Sequence, residues 1–240
     1  MKKKTFLITG ASKGIGLSAA KILVKQGHSI IGLARSQPSL DLKGEFIAID
    51  LLNHHKLKDV LKDVTSRHHL DGVFNNVGLV HPAPLEEITE QQLNSCYHMN
   101  VNVAVQCVQA ALPHMKGQHF GRVVNTASLT VAGAPYRSSY AAAKSALVSM
   151  TRTWALELAS HQITVNAISP GPIETELFNT NNPPGSESRE RYIKNIPIGR
   201  TGKAEEVGEL VAFLMSDQAS FITGQNIFID GGSSVGKSLN

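Results

Sequence analysis

The sequence predicts an α/β fold: one doubly wound, seven-stranded parallel sheet with helices on both faces. Short β-rich runs alternate with stretches of helical periodicity along the chain, and that alternation pairs strands in parallel through right-handed crossovers. No repeat, low-complexity tract or linker interrupts the pattern. The 240 residues make one large domain with a substantial core, not two full ones. Residues 1–240 are therefore expected to form a single domain.

The strands are read in order as TFLIT (5–9), SIIGLA (29–34), EFIAI (45–49), GVFNN (72–76), RVVNTA (122–127), ITVNAIS (163–169) and NIFID (226–230). Helical periodicity covers 15–26, 53–67, 89–116, 140–159 and 204–215. The opening MKKKTFLITG has a basic head but too few apolar residues before Gly10 for a secretory signal, so it reads as a solvated terminus and a strand. The one long irregular stretch is 170–200, where NTNNPPGSES reads as a mobile loop, and 172–200 is expected to act as a substrate loop over the site.

Composition excludes several classes. Apolar residues make up 42% and charged residues 18%, as in ordinary globular proteins. No apolar run approaches the roughly 20 residues of a membrane span. The formal charge is +4, but Lys and Arg are scattered rather than clustered, which argues against nucleic acid. Cys96 and Cys107 lie eleven residues apart within one expected helix, so no disulfide framework is expected and a reducing, cytoplasmic setting fits. His54-His55 and His68-His69 sit in polar helical sequence without H-x-x-x-H or paired cysteines. Surface histidines, and no metal, are the reading.

The first strand runs directly into Gly10, Gly14 and Gly16, and a helix follows. Gly10 suits a tight turn, Gly14 lets backbone approach a pyrophosphate, and Gly16 permits close packing of helix on strand; such turns also occur for purely structural reasons, but the position between first strand and first helix makes a dinucleotide-binding turn the expectation. The helix start offers free N–H groups and a positive dipole end to phosphates. Ser12, Lys13 and Ile15 belong to the same turn. After the second strand, where NAD-binding chains usually place a carboxylate for the ribose diol, stand Ala34, Arg35 and Ser36. Arg35, with Lys13 in reach, suits a 2′-phosphate, the alternative being two solvated surface cations, so the expected cofactor is NADP(H), with NAD(H) second. Asp50, beside Leu51, is placed to accept from the adenine amino group. Asn75, Asn76, Val77 and Gly78 can support the sheet and line the cofactor ribose; as turn residues they can equally be local caps.

Tyr140 and Lys144 stand four apart in SSYAAAKSAL, so they share a helix face. A tyrosine is a poor acid at pH 7, with an unperturbed pKa of about 10, and a nearby ammonium is expected to lower it. Lys144 can also hold the nicotinamide ribose. Ser128, at a strand end, can donate to a substrate oxygen beside the Tyr140 hydroxyl. Asn100, in the preceding helix, can hold a water behind Lys144 and complete a proton path.

TGASKGIG, NNVG, Asn100, Ser128, Tyr140-x-x-x-Lys144 and PGPIET together resemble the short-chain dehydrogenases/reductases across essentially the whole chain. The resemblance implies a catalytic tetrad of Asn100, Ser128, Tyr140 and Lys144. It also implies nicotinamide-end contacts from Pro170, Gly171, Ile173 and Thr175. A homotetramer is implied as well, joined through helices 89–116 and 140–159 and the last strand. Within the family the C-terminal third is most similar to 3-oxoacyl-thioester reductases acting on acyl carrier protein. Two departures stand against that pattern: His119 and His161 occupy positions where such reductases present arginines, and the Ser128–Tyr140 spacing is one residue short.

The expected activity is NADPH-dependent reduction of a ketone to a secondary alcohol. The alternatives are an NAD-dependent dehydrogenase of a sugar, polyol or steroid-like alcohol, and a non-catalytic dinucleotide-sensing module. Substrate choice is expected to lie in 78–88, 129–139 and 172–200. Val131, Ala134, Pro135 and Tyr136 there form either a partly apolar substrate wall or a subunit interface.

Overall fold

The computed structural model describes residues 2–38 and 42–236; the extreme ends of the expected 1–240 domain and residues 39–41 lie outside the described residues. The main sheet is parallel and seven-stranded. It contains β1 (Thr5–Thr9), β2 (Ser29–Ala34), β3 (Glu45–Ala48), β4 (Gly72–Asn75), β5 (Gly121–Thr126), β6 (Ile163–Pro170) and β9 (Asn226–Ile229), in the order β3-β2-β1-β4-β5-β6-β9. Each lies within two residues of its sequence-predicted position.

The strands read as near-continuous apolar runs because both sheet faces are buried. Side chains alternate between two cores: Leu7, Val73, Val123 and Val165 point to one, Phe6, Ile8, Phe74 and Val124 to the other. The first core is covered by α2 (His54–Arg67), α4 (Val103–Gly117) and α5 (Ser138–Leu158). The second is covered by α1 (Gly14–Lys25) and α8 (Ala204–Leu214), which pack together where a Cβ on Gly208 would stand 2.6 Å from Ser18 Oγ.

Two expectations are corrected. The predicted helix 89–116 is two helices, α3 (Glu90–Tyr97) and α4, joined by a π-helical turn over His98–Asn102. The break leaves Asn100 Nδ2 donating to the Leu79 and Cys96 carbonyls, each at 2.8 Å. Cys96 and Cys107 thus belong to different helices, both buried as free thiols, and burial pushes the Cys107 thiol up to about 12.

The stretch 170–200 is not irregular. It holds β7 (Ile173–Glu174), α6 (Glu176–Asn181) and α7 (Glu187–Lys194), and β7 pairs with β8 (Gly202–Lys203). Thr175 caps α6 through the Phe178 N–H at 3.2 Å, and Ser186 caps α7 through the Arg189 N–H at 3.3 Å. Glu174 ties the segment together, accepting from Arg189 and from Thr201 Oγ1.

Candidate active site

Parallel pairing brings the carboxyl ends of all the main strands to one edge, and the order reverses between β1 and β4. A crevice at such a switch point is where open α/β sheets bind ligands. Gly10 leaves β1 at φ +68 and donates to the Leu33 carbonyl at 2.7 Å. A Cβ on Gly16 would sit against the Gly10 carbonyl and 2.7 Å from Asn76 Nδ2. Asn76 Nδ2 also donates to the Thr9 and Gly10 carbonyls at 3.2 and 3.3 Å, so the end of β4 clamps the glycine turn. Gly14, at φ +55, faces Thr175 Cγ2, 3.2 Å from where a Cβ would stand.

The residues present fit a dinucleotide. Lys13 at the start of α1 provides no side-chain cap, and the first turn carries no acidic residue, so its N–H groups face outward without a competing partner. Arg35 and Ser36 follow β2 and are exposed, as is Asp50 after β3. Asp50 Oδ1 accepts from the Leu52 N–H at 3.1 Å, leaving its second oxygen open. Leu51 differs from its neighbours: its side chain is buried in the first core, so only its backbone can face a ligand.

A cleft of about 950 Å³ opens at the same edge. Of the sequence-predicted residues its wall takes Ile15, Asn76, Ser128, Tyr140, Pro170, Gly171, Ile173 and Thr175. Ala134 and Pro135 line it too, as the apolar-wall reading expects, with Arg137 beside them; α6 and α7 contribute Phe178, Asn181 and Tyr192. Tyr136 belongs to an adjoining compartment. Gly10, Gly14, Gly16, Arg35 and Asp50 lie along the same sheet edge outside this wall, and Asn100 and Lys144 are buried rather than part of it. The sequence reading missed Thr126, whose carbonyl accepts from Lys144 Nζ at 2.6 Å, and Arg137.

Lys144 is buried, and desolvation pushes it down to about 8. Tyr140 departs from expectation: burial raises its phenol, with the Ser128 hydroxyl pulling the other way and Arg137 adding to that pull. Lys144 does not offset the burial, because its ammonium is turned to the Thr126 carbonyl, 5.5 Å from the Tyr140 ring centre. Behind it, a Cβ on Gly78 would stand 3.1 Å from Asn100 Oδ1 and 3.6 Å from Lys144 Nζ. The missing side chain keeps the space between those two groups open.

Deeper in the sheet, Asn75 Nδ2 donates to Asn125 Oδ1 and Asn125 Nδ2 to Thr151 Oγ1, both at 2.9 Å, fixing β4, β5 and α5 relative to one another. His119 and His161 pair with ring centres 5.7 Å apart. They precede β5 and β6, at the opposite sheet edge from the cleft. Among the described residues no group of three or more His, Cys, Asp or Glu side chains is arranged to hold a metal, and no helix is long and apolar enough to cross a membrane.

A family model described as Enoyl-(Acyl carrier protein) reductase matches residues 10–234. The chain is 34% identical to the 3-oxoacyl-[acyl-carrier-protein] reductase FabG of Thermotoga maritima, over 97% of this chain and 98% of that one. Among solved structures it is similar to a short chain dehydrogenase family protein from Francisella tularensis, with a TM-score of 0.89, 29% identity and coverage of 97% and 99%. It also resembles the structure of ElxO with NADP bound, with a TM-score of 0.88, 28% identity and coverage of 97% and 99%.

Proposed function

The chain belongs to the short-chain dehydrogenase/reductase family of oxidoreductases, and on that premise we propose that it reduces a ketone to a secondary alcohol with NADPH. The observation that carries the reading is that Ser128 and Tyr140 line one cleft, with Lys144 buried one turn along α5 from Tyr140 and donating to the carbonyl of Thr126, itself a cleft residue, beside a glycine turn fitted to a dinucleotide.

When bound, the reduced nicotinamide supplies the hydride to the carbonyl carbon. Everything else falls to side chains. Ser128 donates to the carbonyl oxygen and holds it beside the Tyr140 hydroxyl. A phenol whose pKa is raised keeps its proton at neutral pH and delivers it to that oxygen as negative charge develops. The tyrosinate left behind recovers a proton through Lys144 and a water held between Lys144 Nζ and Asn100 Oδ1, in the space Gly78 leaves open. Lys144 also holds the nicotinamide ribose. Pro170, Gly171, Ile173 and Thr175 position the nicotinamide end.

NADPH is favoured over NADH because Arg35 follows β2 exposed, with no carboxylate at Ala34 to repel a 2′-phosphate. Ser36 and Lys13 flank that phosphate, and Asp50 keeps an oxygen for the adenine amino group. A 3-oxoacyl thioester is the favoured substrate, since the Thermotoga maritima relative carries that name and Ala134, Pro135 and Phe178 give the cleft an apolar side. Assembly into a homotetramer is supported by apolar side chains left exposed on the expected interface elements: Leu93 and Tyr97 on α3, Leu156 on α5 and Phe228 on β9.

The test is the initial rate of NADPH consumption with acetoacetyl thioester, presented on acyl carrier protein and as the free thioester. Turnover with a preference for the carrier-bound form is expected if the carrier protein docks. Tight NADPH binding without turnover of any ketone would leave a dinucleotide-sensing module instead.

A further inference from the structure

Outward from Tyr140 the cleft continues into a second compartment of about 500 Å³, walled by Pro82, Pro135, Tyr136 and Tyr192 with Arg191 at its rim. Arg137 lines both compartments. No Asp or Glu lines either, among the described residues.

Arg137 stands apart from the other arginines. Arg67, Arg122, Arg189, Arg191 and Arg200 each pair with a carboxylate. Arg35 and Arg152 are exposed to water. Arg137 is half-buried, and its guanidinium enters no ion pair and no hydrogen bond among the described residues. A partly desolvated cation without a counter-charge is unfavourable unless a ligand supplies one.

The backbone holds this side chain at the junction. Tyr136 adopts φ +61, a left-handed conformation unfavourable for an aromatic residue, and its carbonyl accepts from the Ala83 N–H at 3.1 Å. The Arg137 carbonyl then accepts from the Ala141 N–H at 2.7 Å, opening α5. Strain maintained at a cleft mouth is characteristic of ligand clamps. The Arg191–Glu187 pair at the rim is largely exposed and weak, so Arg191 can turn toward an incoming anion.

We propose that the ketone substrate carries an oxyanion, which Arg137 binds inside the cleft while Arg191 draws it in at the rim. The inference rests on the reading of the cleft as a ketone-reducing site. A planar guanidinium binds a carboxylate or phosphate through two parallel hydrogen bonds. Arg137 precedes Tyr140 by three residues, about one helical turn, so the anion lies near the carbonyl. A keto acid's carboxylate and a coenzyme thioester's phosphate are the two sources of such an anion.

The experiment compares matched ketones: acetoacetate with ethyl acetoacetate, and acetoacetyl-coenzyme A with acetoacetyl-N-acetylcysteamine. Each pair is assayed with the wild-type protein, Arg137→Met and Arg137→Lys. The expected result is a preference in kcat/KM of about tenfold or more for the anionic member of one pair. That ratio should fall about tenfold in Arg137→Met and be partly kept in Arg137→Lys. The pair that shows it identifies the anion as carboxylate or phosphate. No anionic preference in either pair, or an equal loss on both members in Arg137→Met, overturns the proposal. If no ketone is reduced, the proposed reduction fails by itself. Calorimetric binding of 3-hydroxybutyrate and its ethyl ester to the NADP-bound protein then decides the anion site by the same comparison.

Discussion

Lys144 Nζ stands 5.5 Å from the centre of the Tyr140 ring and donates to the Thr126 carbonyl at 2.6 Å. The helical spacing of four sets the first contact and the end of β5 sets the second. Lys144 is therefore a buried, directed ammonium anchored to the sheet, one turn along α5 from the phenol.

That burial dictates a pH profile. Lys144 is charged below about pH 8 and neutral above it, while the raised Tyr140 keeps its proton throughout that range. Because the charged lysine is needed for the nicotinamide ribose and the proton path, kcat/KM for NADPH, which reports the free enzyme, is expected to be flat below pH 7. It should fall about tenfold per pH unit above about 8. A profile unchanged through pH 9.5 would contradict the role given to Lys144.

The opening beside Gly78 makes a second prediction. A methyl group there would meet Asn100 Oδ1 at 3.1 Å and Lys144 Nζ at 3.6 Å, occupying the place of a relaying water. Gly78→Ala is expected to lower kcat by about tenfold to a hundredfold, the scale of an impaired proton transfer, while thermal unfolding shifts by less than about 1 kcal/mol. Wild-type kcat in this variant would remove the relay.

Much of the fold was legible because strands buried on both faces, such as TFLIT and SIIGLA, can hardly be read otherwise. The glycine turn and the Tyr140–Lys144 spacing were legible for the same reason: local geometry leaves few alternatives. The π-turn at His98–Asn102 was not, since apolar periodicity runs through it and the break answers to Leu79, a residue distant in sequence. The helices α6 and α7 were hidden by Pro183, Pro184 and Gly185, although Thr175-Glu176 and Ser186-Glu187 are capping signals that could have revealed them. The raised Tyr140 was missed because spacing gives proximity to a charge but says nothing of desolvation.

At the other end of the sheet, Arg35 is exposed immediately after β2. Arg35→Glu is expected to reduce the NADPH/NADH ratio of kcat/KM by about a hundredfold or more, since it exchanges a charge-assisted contact for repulsion. An unchanged ratio would place the 2′-phosphate elsewhere or make NADH the working cofactor.

The most direct test is the rate of NADPH oxidation with acetoacetyl thioester by the wild-type protein and Tyr140→Phe, with NADPH binding measured on both. Measurable wild-type turnover, a loss of about a thousandfold or more in the variant, and NADPH affinity preserved within a few-fold is the predicted result. Comparable turnover in Tyr140→Phe would contradict the assignment of Tyr140 as the proton donor.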